Sequence, residues 1–163
     1  MKIAILYGTK YGSTEKVAEL ISKSIEDNYK EESIDVELIN LKEKNDINLD
    51  FDVLIIGSSV YIGRIRKDVR KFLKKNKNTL MEKKLALFIS GCNEEEGISQ
   101  LYKIFPSELV KNSLSTAYIL GEFKLDKMGF LDRKIAQSII KGTEKEFKID
   151  NEAIDEFVKN MEL

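Results

Sequence analysis

The chain is expected to form a three-layer α/β sandwich, with a five-stranded parallel sheet of order 2-1-3-4-5 between helices on both faces. Three observations predict it. Short apolar runs alternate with amphipathic stretches from one end of the chain to the other, as parallel strands joined by crossover helices do. Lys2–Tyr7, Asp52–Gly57 and Leu85–Ile89 are apolar without alternation, as strands buried on both faces must be. Each of the three opens into a loop of small polar residues. In this strand order, ligands sit beyond the carboxyl ends of strands one and three.

The elements follow in order. After Lys2–Tyr7, the residues Val17, Ala18, Leu20, Ile21 and Ile25 recur at helical spacing among charges, predicting a helix to about Tyr29. Ile34–Ile39 alternates apolar and acidic residues, which suits an edge strand with one buried face. Asp52–Gly57 reads as a central strand, and a helix with Val69, Phe72 and Leu73 on its buried stripe follows. Leu85–Ile89 is the fourth strand, Ile98–Phe105 and Ser107–Val110 are helical, and Ser115–Leu120 is a fifth strand ending at Gly121. Leu131–Lys141 and Glu152–Met161 are expected to be closing helices. With one proline, no Ser/Gly-rich linker and no internal repeat, residues 1–163 are expected to form a single domain.

Composition removes several chemistries. The chain has no histidine, which excludes His-based triads and His metal sites. Its single cysteine, Cys92, excludes an internal disulfide and CxxC redox chemistry. A net charge of −1 gives no global pull towards nucleic acid. No apolar run approaches membrane-spanning length, so a cytoplasmic protein without a transmembrane segment is expected.

The first polar loop, Tyr7-Gly8-Thr9-Lys10-Tyr11-Gly12-Ser13-Thr14, stands between a strand and a helix start. It aims backbone N–H groups, hydroxyls and a positive helix end at one point, which suits a phosphate. Gly12 permits close backbone approach, and Thr14 is expected to help satisfy the first N–H groups of the helix. The P-loop pattern is missing, because Ser13 follows Gly12 where that motif has lysine. The G-x-G-x-x-G fingerprint is missing as well. A phosphoryl-accepting receiver would place acidic residues where this chain has Tyr7-Gly8 and Gly57-Ser58.

Thr9-Lys10-Tyr11-Gly12-Ser13-Thr14 resembles the T-x-x-G-x-T flavin-phosphate loop of flavodoxins, so the fold expected is the flavodoxin-like sandwich. The likeness extends through Gly57-Ser58-Ser59-Val60-Tyr61-Ile62-Gly63, similar to the G-[AS]-S-[IV]-x-x-G loop of the flavodoxin-domain proteins that include menaquinone-dependent protoporphyrinogen dehydrogenases. Gly121 and Asp132-Arg133 match that group's stretch after the fifth strand. The resemblance implies noncovalent FMN, its phosphate on residues 9–14 and its isoalloxazine ring between the second and third loops. Tyr61 and Ile62 would pack on the ring. Backbone from Tyr61 to Gly63 would bond near flavin N5, a glycine there easing a peptide flip on reduction. Ser90, Gly91, Cys92 and Asn93 would contact the pyrimidine edge.

The function implied is electron transfer through FMN to a redox partner protein or a quinone. The alternative is an enzyme oxidising protoporphyrinogen and passing its electrons to a quinone. A non-redox binding module that has lost flavin is a third reading. The segment Arg64–Lys84 holds ten cations against Asp68 and Glu82. It is either a solvated helix face or a docking surface for an acidic redox partner, an anionic substrate such as a porphyrin, or a membrane periphery. Many carrier flavodoxins are acidic around the flavin, so Arg64 and Arg66 depart from that pattern. Cys92 is expected to fill a turn, and Glu94-Glu95-Glu96 to be solvated. Phe123–Leu131 is either ordinary core or a partner-facing flap over the site.

Overall fold

The computed structural model describes residues 1–30, 32–44, 46–92, 95, 97–144 and 146–163. Strand β1 (Lys2–Gly8) leads through α1 (Ser13–Asn28) to β2 (Asp35–Asn40). Strand β3 (Val53–Tyr61) turns back into β4 (Arg64–Ile65), followed by α2 (Lys67–Lys75) and α3 (Lys77–Met81). Then come β5 (Lys84–Gly91), α4 (Gly97–Ile104), α5 (Ser107–Lys111) and β6 (Ser113–Leu120). A 3₁₀ turn at Leu125–Lys127 precedes α6 (Phe130–Lys141), and α7 (Asn151–Lys159) comes last.

Five parallel strands run in the order β2-β1-β3-β5-β6, the predicted 2-1-3-4-5 arrangement. The sheet has a sixth strand that was not expected: β4 pairs antiparallel with the end of β3, Val60 opposite Ile65 and Tyr61 opposite Arg64. The stretch expected to be a loop from Ser58 is therefore strand as far as Tyr61. Only Ile62 and Gly63 form the turn.

Alternate residues of each central strand feed opposite layers. Ile3, Ile5, Val53, Ile55, Phe88 and Ile119 pack under α1 and α7. Ala4, Leu6, Leu54, Ile56, Leu87 and Ile89 pack under α2 to α5. The hydrophobic pattern shows no alternation because both faces are covered. The edge strand β2 differs: Ile39 is buried and Leu38 is 39% exposed.

The Ile62-Gly63 turn has φ of 49° and 65°. Two-residue hairpin turns with positive φ at both positions are the favoured type, and Asn-Gly is the sequence that suits them. A β-branched isoleucine there costs roughly 1–2 kcal/mol. Ile62 is 80% exposed, so no burial offsets that strain. Ile62→Asn is expected to stabilise the protein by about 1 kcal/mol, or about 2–4 °C in Tm for a chain of this size. Thermal unfolding followed by circular dichroism measures it, and an unchanged or lower midpoint would contradict the strain.

Candidate functional site

The first loop is built around Gly12, which takes φ 87° and precedes α1 with no side chain capping the helix. Thr14 does not have the capping role expected of it. It lies inside the helix, fully buried, and its Oγ1 has no hydrogen-bond partner. Thr9 Oγ1 instead accepts from Gly12 N at 2.9 Å and holds the loop closed. The helix start thus keeps its N–H groups free of side-chain caps, and a buried hydroxyl stands unused beside them. Both are the features an anion completes.

Charges of both signs gather at the same place. An added Gly12 Cβ would stand 3.5 Å from Lys127 Nζ, 3.7 Å from Glu15 Oε2 and 3.8 Å from Lys124 Nζ. Neither lysine was legible as a site residue, because residues 124 and 127 reach the loop only through the fold. Gly121 ties the first and third loops together. A Cβ there would meet Ser90 Oγ at 2.8 Å and Ser13 Oγ at 2.9 Å, so only glycine fits without displacing those hydroxyls. Its neighbour Glu122 donates its backbone N–H to Ser13 Oγ at 3.1 Å.

These loops enclose a cavity of about 570 Å³, within the roughly 300–1,000 Å³ of small-molecule sites. Thr9, Lys10, Tyr11, Ser13 and Thr14 line it from the first loop. Ser59, Val60, Tyr61, Ile62 and Gly63 line it from the hairpin, and Ser90, Gly91 and Cys92 from the end of β5. Gly12 shapes the loop without lining the cavity. Ser58 faces away: its Oγ donates to Ser59 O and accepts from Arg66 N, both at 2.9 Å. Asn93, with Glu94 and Glu96, lies outside the described residues. Ser59 Oγ, like Thr14 Oγ1, is buried without a partner.

The remaining wall comes from Gln100 of α4 and from the segment after β6: Gly121, Glu122, Phe123, Met128, and Asp132, Ile135, Ala136 and Ile139 of α6. Phe123–Leu131 lies over the site rather than in the core: Phe123 and Met128 line the cavity, and Phe130 and Leu131 are exposed. The apolar residues of α6 were visible only as an ordinary helical stripe, which says nothing about what the stripe covers.

Asp132 fastens α6 across the cavity. It accepts from Lys10 Nζ at 2.6 Å, from Tyr61 OH at 2.8 Å and from Tyr11 OH. The Lys10 ammonium also lies 4.3 Å from the Tyr61 ring centroid. The hydrogen bond from Lys10, then those from Tyr11 and Tyr61, hold the Asp132 carboxyl down at about 2. The same contacts raise Lys10 and Tyr61 above their ordinary values. A depressed carboxylate favours the closed form above its ordinary value near 3.9, and that contribution is lost as pH falls towards about 2. The clasp is therefore charged throughout the neutral range. Asp132→Asn removes the charge, and trypsin is expected to cut faster after the adjacent exposed Arg133 and Lys134. An unchanged cleavage rate would mean that α6 is held by its buried Ala136 instead.

Burial pushes the Cys92 thiol up to about 11, which favours its protonated form at neutral pH.

A parallel sheet of this order, with a cavity at its switch point, defines the doubly wound class whose ligands sit at the strand ends; flavodoxin is itself the type example of that order. The chain belongs to the flavodoxin domain family, whose model matches residues 4–150. It is 38% identical over 103 residues to a flavodoxin of Buchnera aphidicola, covering 62% of this chain and 56% of that protein. It is 30% identical over 102 residues to a flavodoxin of Clostridium saccharobutylicum, covering 62% of each. The matches thus span less than two thirds of these relatives' own length. Among solved structures, oxidised Flavodoxin 2 from Bacillus cereus superposes with a TM-score of 0.59 at 24% identity, over 99% of this chain and 98% of that one. That likeness speaks to the fold. Among the described residues no helix is long and apolar enough to cross a membrane, and no cluster of metal-ligating side chains is present.

Proposed function

We propose that this protein transfers electrons through noncovalently bound FMN held in the cavity between the three loops. The observation that carries the reading is the pair of buried hydroxyls without partners, Thr14 Oγ1 and Ser59 Oγ, on the walls of a cavity that Lys10 also lines. A flavin's phosphate and ring edge offer the acceptors and donors those groups lack. When bound, FMN supplies the reversible electron chemistry. The chain does the rest. Thr14 and the N–H groups at the start of α1 hold the phosphate, Tyr61 and Ile62 cover the ring, and Asp132 keeps Tyr61 and Lys10 in place.

The rim of the cavity supports a protein partner. Ile62, Phe130 and Leu131 are 80%, 71% and 73% exposed, and the Tyr61–Asp132 hydrogen bond brings their neighbours together. Exposed Arg64, Arg133 and Lys134 flank them. An apolar centre within a basic border fits an acidic redox protein.

A second reading has its own support. Phe123, Met128, Ile135 and Ile139 give the cavity an apolar wall facing the polar loops. That wall favours a reductant with an apolar ring face beside the flavin, such as protoporphyrinogen, with a quinone as acceptor.

Isolated protein is expected to be yellow and to release FMN on heating. Colourless protein that ignores added FMN would end both readings. If FMN is present, protoporphyrinogen with a menaquinone analogue separates them: flavin reduction that depends on the porphyrinogen supports the enzyme, and none leaves the carrier.

A further inference from the structure

A second cavity, of about 530 Å³, lies between α2 and the connection that follows β2. Its walls carry six cations, Lys42, Lys44, Arg66, Lys67, Lys71 and Lys75, against two carboxylates, Asp46 and Asp68. This excess stands in a chain whose net charge is −1. Two of the cations meet those carboxylates, Lys75 with Asp46 at 3.0 Å and Arg66 with Asp68 at 3.4 Å. Lys44 pairs outward with Glu37 at 3.0 Å. Lys42, Lys67 and Lys71 have no ion pair among the described residues. Arg66 Nε is buried without an acceptor, although its Nη2 and its backbone N–H are both engaged.

Like charges gathered around one recess repel one another, and an unmet guanidinium N–H adds to the cost of leaving the recess empty. Neither is needed for folding, since the floor of the cavity, Leu41 and Phe72, is ordinary buried core. The geometry points to a binding site for a compact polyphosphate, either inorganic triphosphate or the phosphate chain of a nucleotide. Phosphate oxygens accept from lysine and arginine together, and a short chain of phosphates concentrates negative charge in the volume of the recess. An extended acidic peptide would spread its charge beyond it. The site stands independently of the flavin cavity: it shares no lining residue with it.

The test is calorimetric titration of the intact protein with sodium triphosphate and, separately, with adenosine triphosphate. Saturable binding is expected, weakening at least tenfold in Lys67→Ala/Lys71→Ala and falling steeply between about 50 and 200 mM salt. Thr14→Val, in the flavin loop, is expected to leave it unchanged, which separates this site from the phosphate end of the flavin cavity. Adenosine triphosphate binding more tightly than triphosphate would identify a nucleotide using the half-buried Ile47, and equal binding would identify the phosphate chain alone. No binding at millimolar concentration overturns the proposal. So does equal weakening by Lys23→Ala/Lys103→Ala, two lysines outside the recess.

Discussion

Thr14→Val is expected to weaken FMN binding by about tenfold to a hundredfold while making the flavin-free protein more stable. The two effects have opposite signs for one physical reason. Thr14 Oγ1 is fully buried and bonds to nothing in the protein. Burying a hydroxyl without a partner costs about 1–3 kcal/mol, so an isostere without it relieves the free protein. The same hydroxyl donating to a charged phosphate contributes about 1.5–3 kcal/mol, which sets the loss in affinity. Fluorescence quenching of added FMN measures the first effect, and urea unfolding of FMN-stripped protein the second. If both quantities fall together, Thr14 supports the fold and the placement of the phosphate is wrong.

Gly57→Ala is expected to destabilise the protein by about 2–3 kcal/mol or more, with no direct effect on ligand contacts. Gly57 reads in the sequence as the first residue of a functional loop, and the structure gives it a different task. It sits within β3, where an added Cβ would fall 1.9 Å from Phe88 Cζ and 2.1 Å from Cε1. Phe88 cannot yield easily. It is fully buried beneath α1 and α7, its ring edge-on to Phe157 with centroids 6.1 Å apart. Overpacking at a site of that kind forces side chains off their rotamers or shifts the strand. Combining Gly57→Ala with Phe88→Leu makes room for the methyl group, and urea unfolding of both single variants and the pair gives their coupling. If the double variant loses as much as the two single losses added together, the clash with Phe88 is not the cause.

The first loop was legible because its requirements are local. Thr9, Gly12 and Thr14 are spaced by the turn and by the start of one helix, and that spacing is present in the sequence itself. The hairpin was less so. Ser59-Val60-Tyr61 carries the composition of a loop, yet it continues β3 because Ser59 pairs with Ser90 of β5 and because Arg64 and Ile65 return to pair with Tyr61 and Val60. No periodicity marks a two-residue strand. Ser58 looked equivalent to Ser59 for the same reason; the alternation of a strand, unseen until the strand was known, sends one hydroxyl to Arg66 N and the other to the cavity.

Pattern by itself indicated the five parallel strands, the two covered faces and the polar loop between β1 and α1. Each follows from hydrophobic period and from residues within a few positions of one another. The tertiary structure alone decided how the cavity is closed. Asp132 meets Lys10, Tyr11 and Tyr61 across separations of 71 to 122 residues. Lys42 and Lys44 join the lysines of α2 around the second recess in the same way. Such meetings depend on where the chain returns in space, and charged or apolar residues on a helix look alike in sequence whether they face solvent, a cavity or a partner.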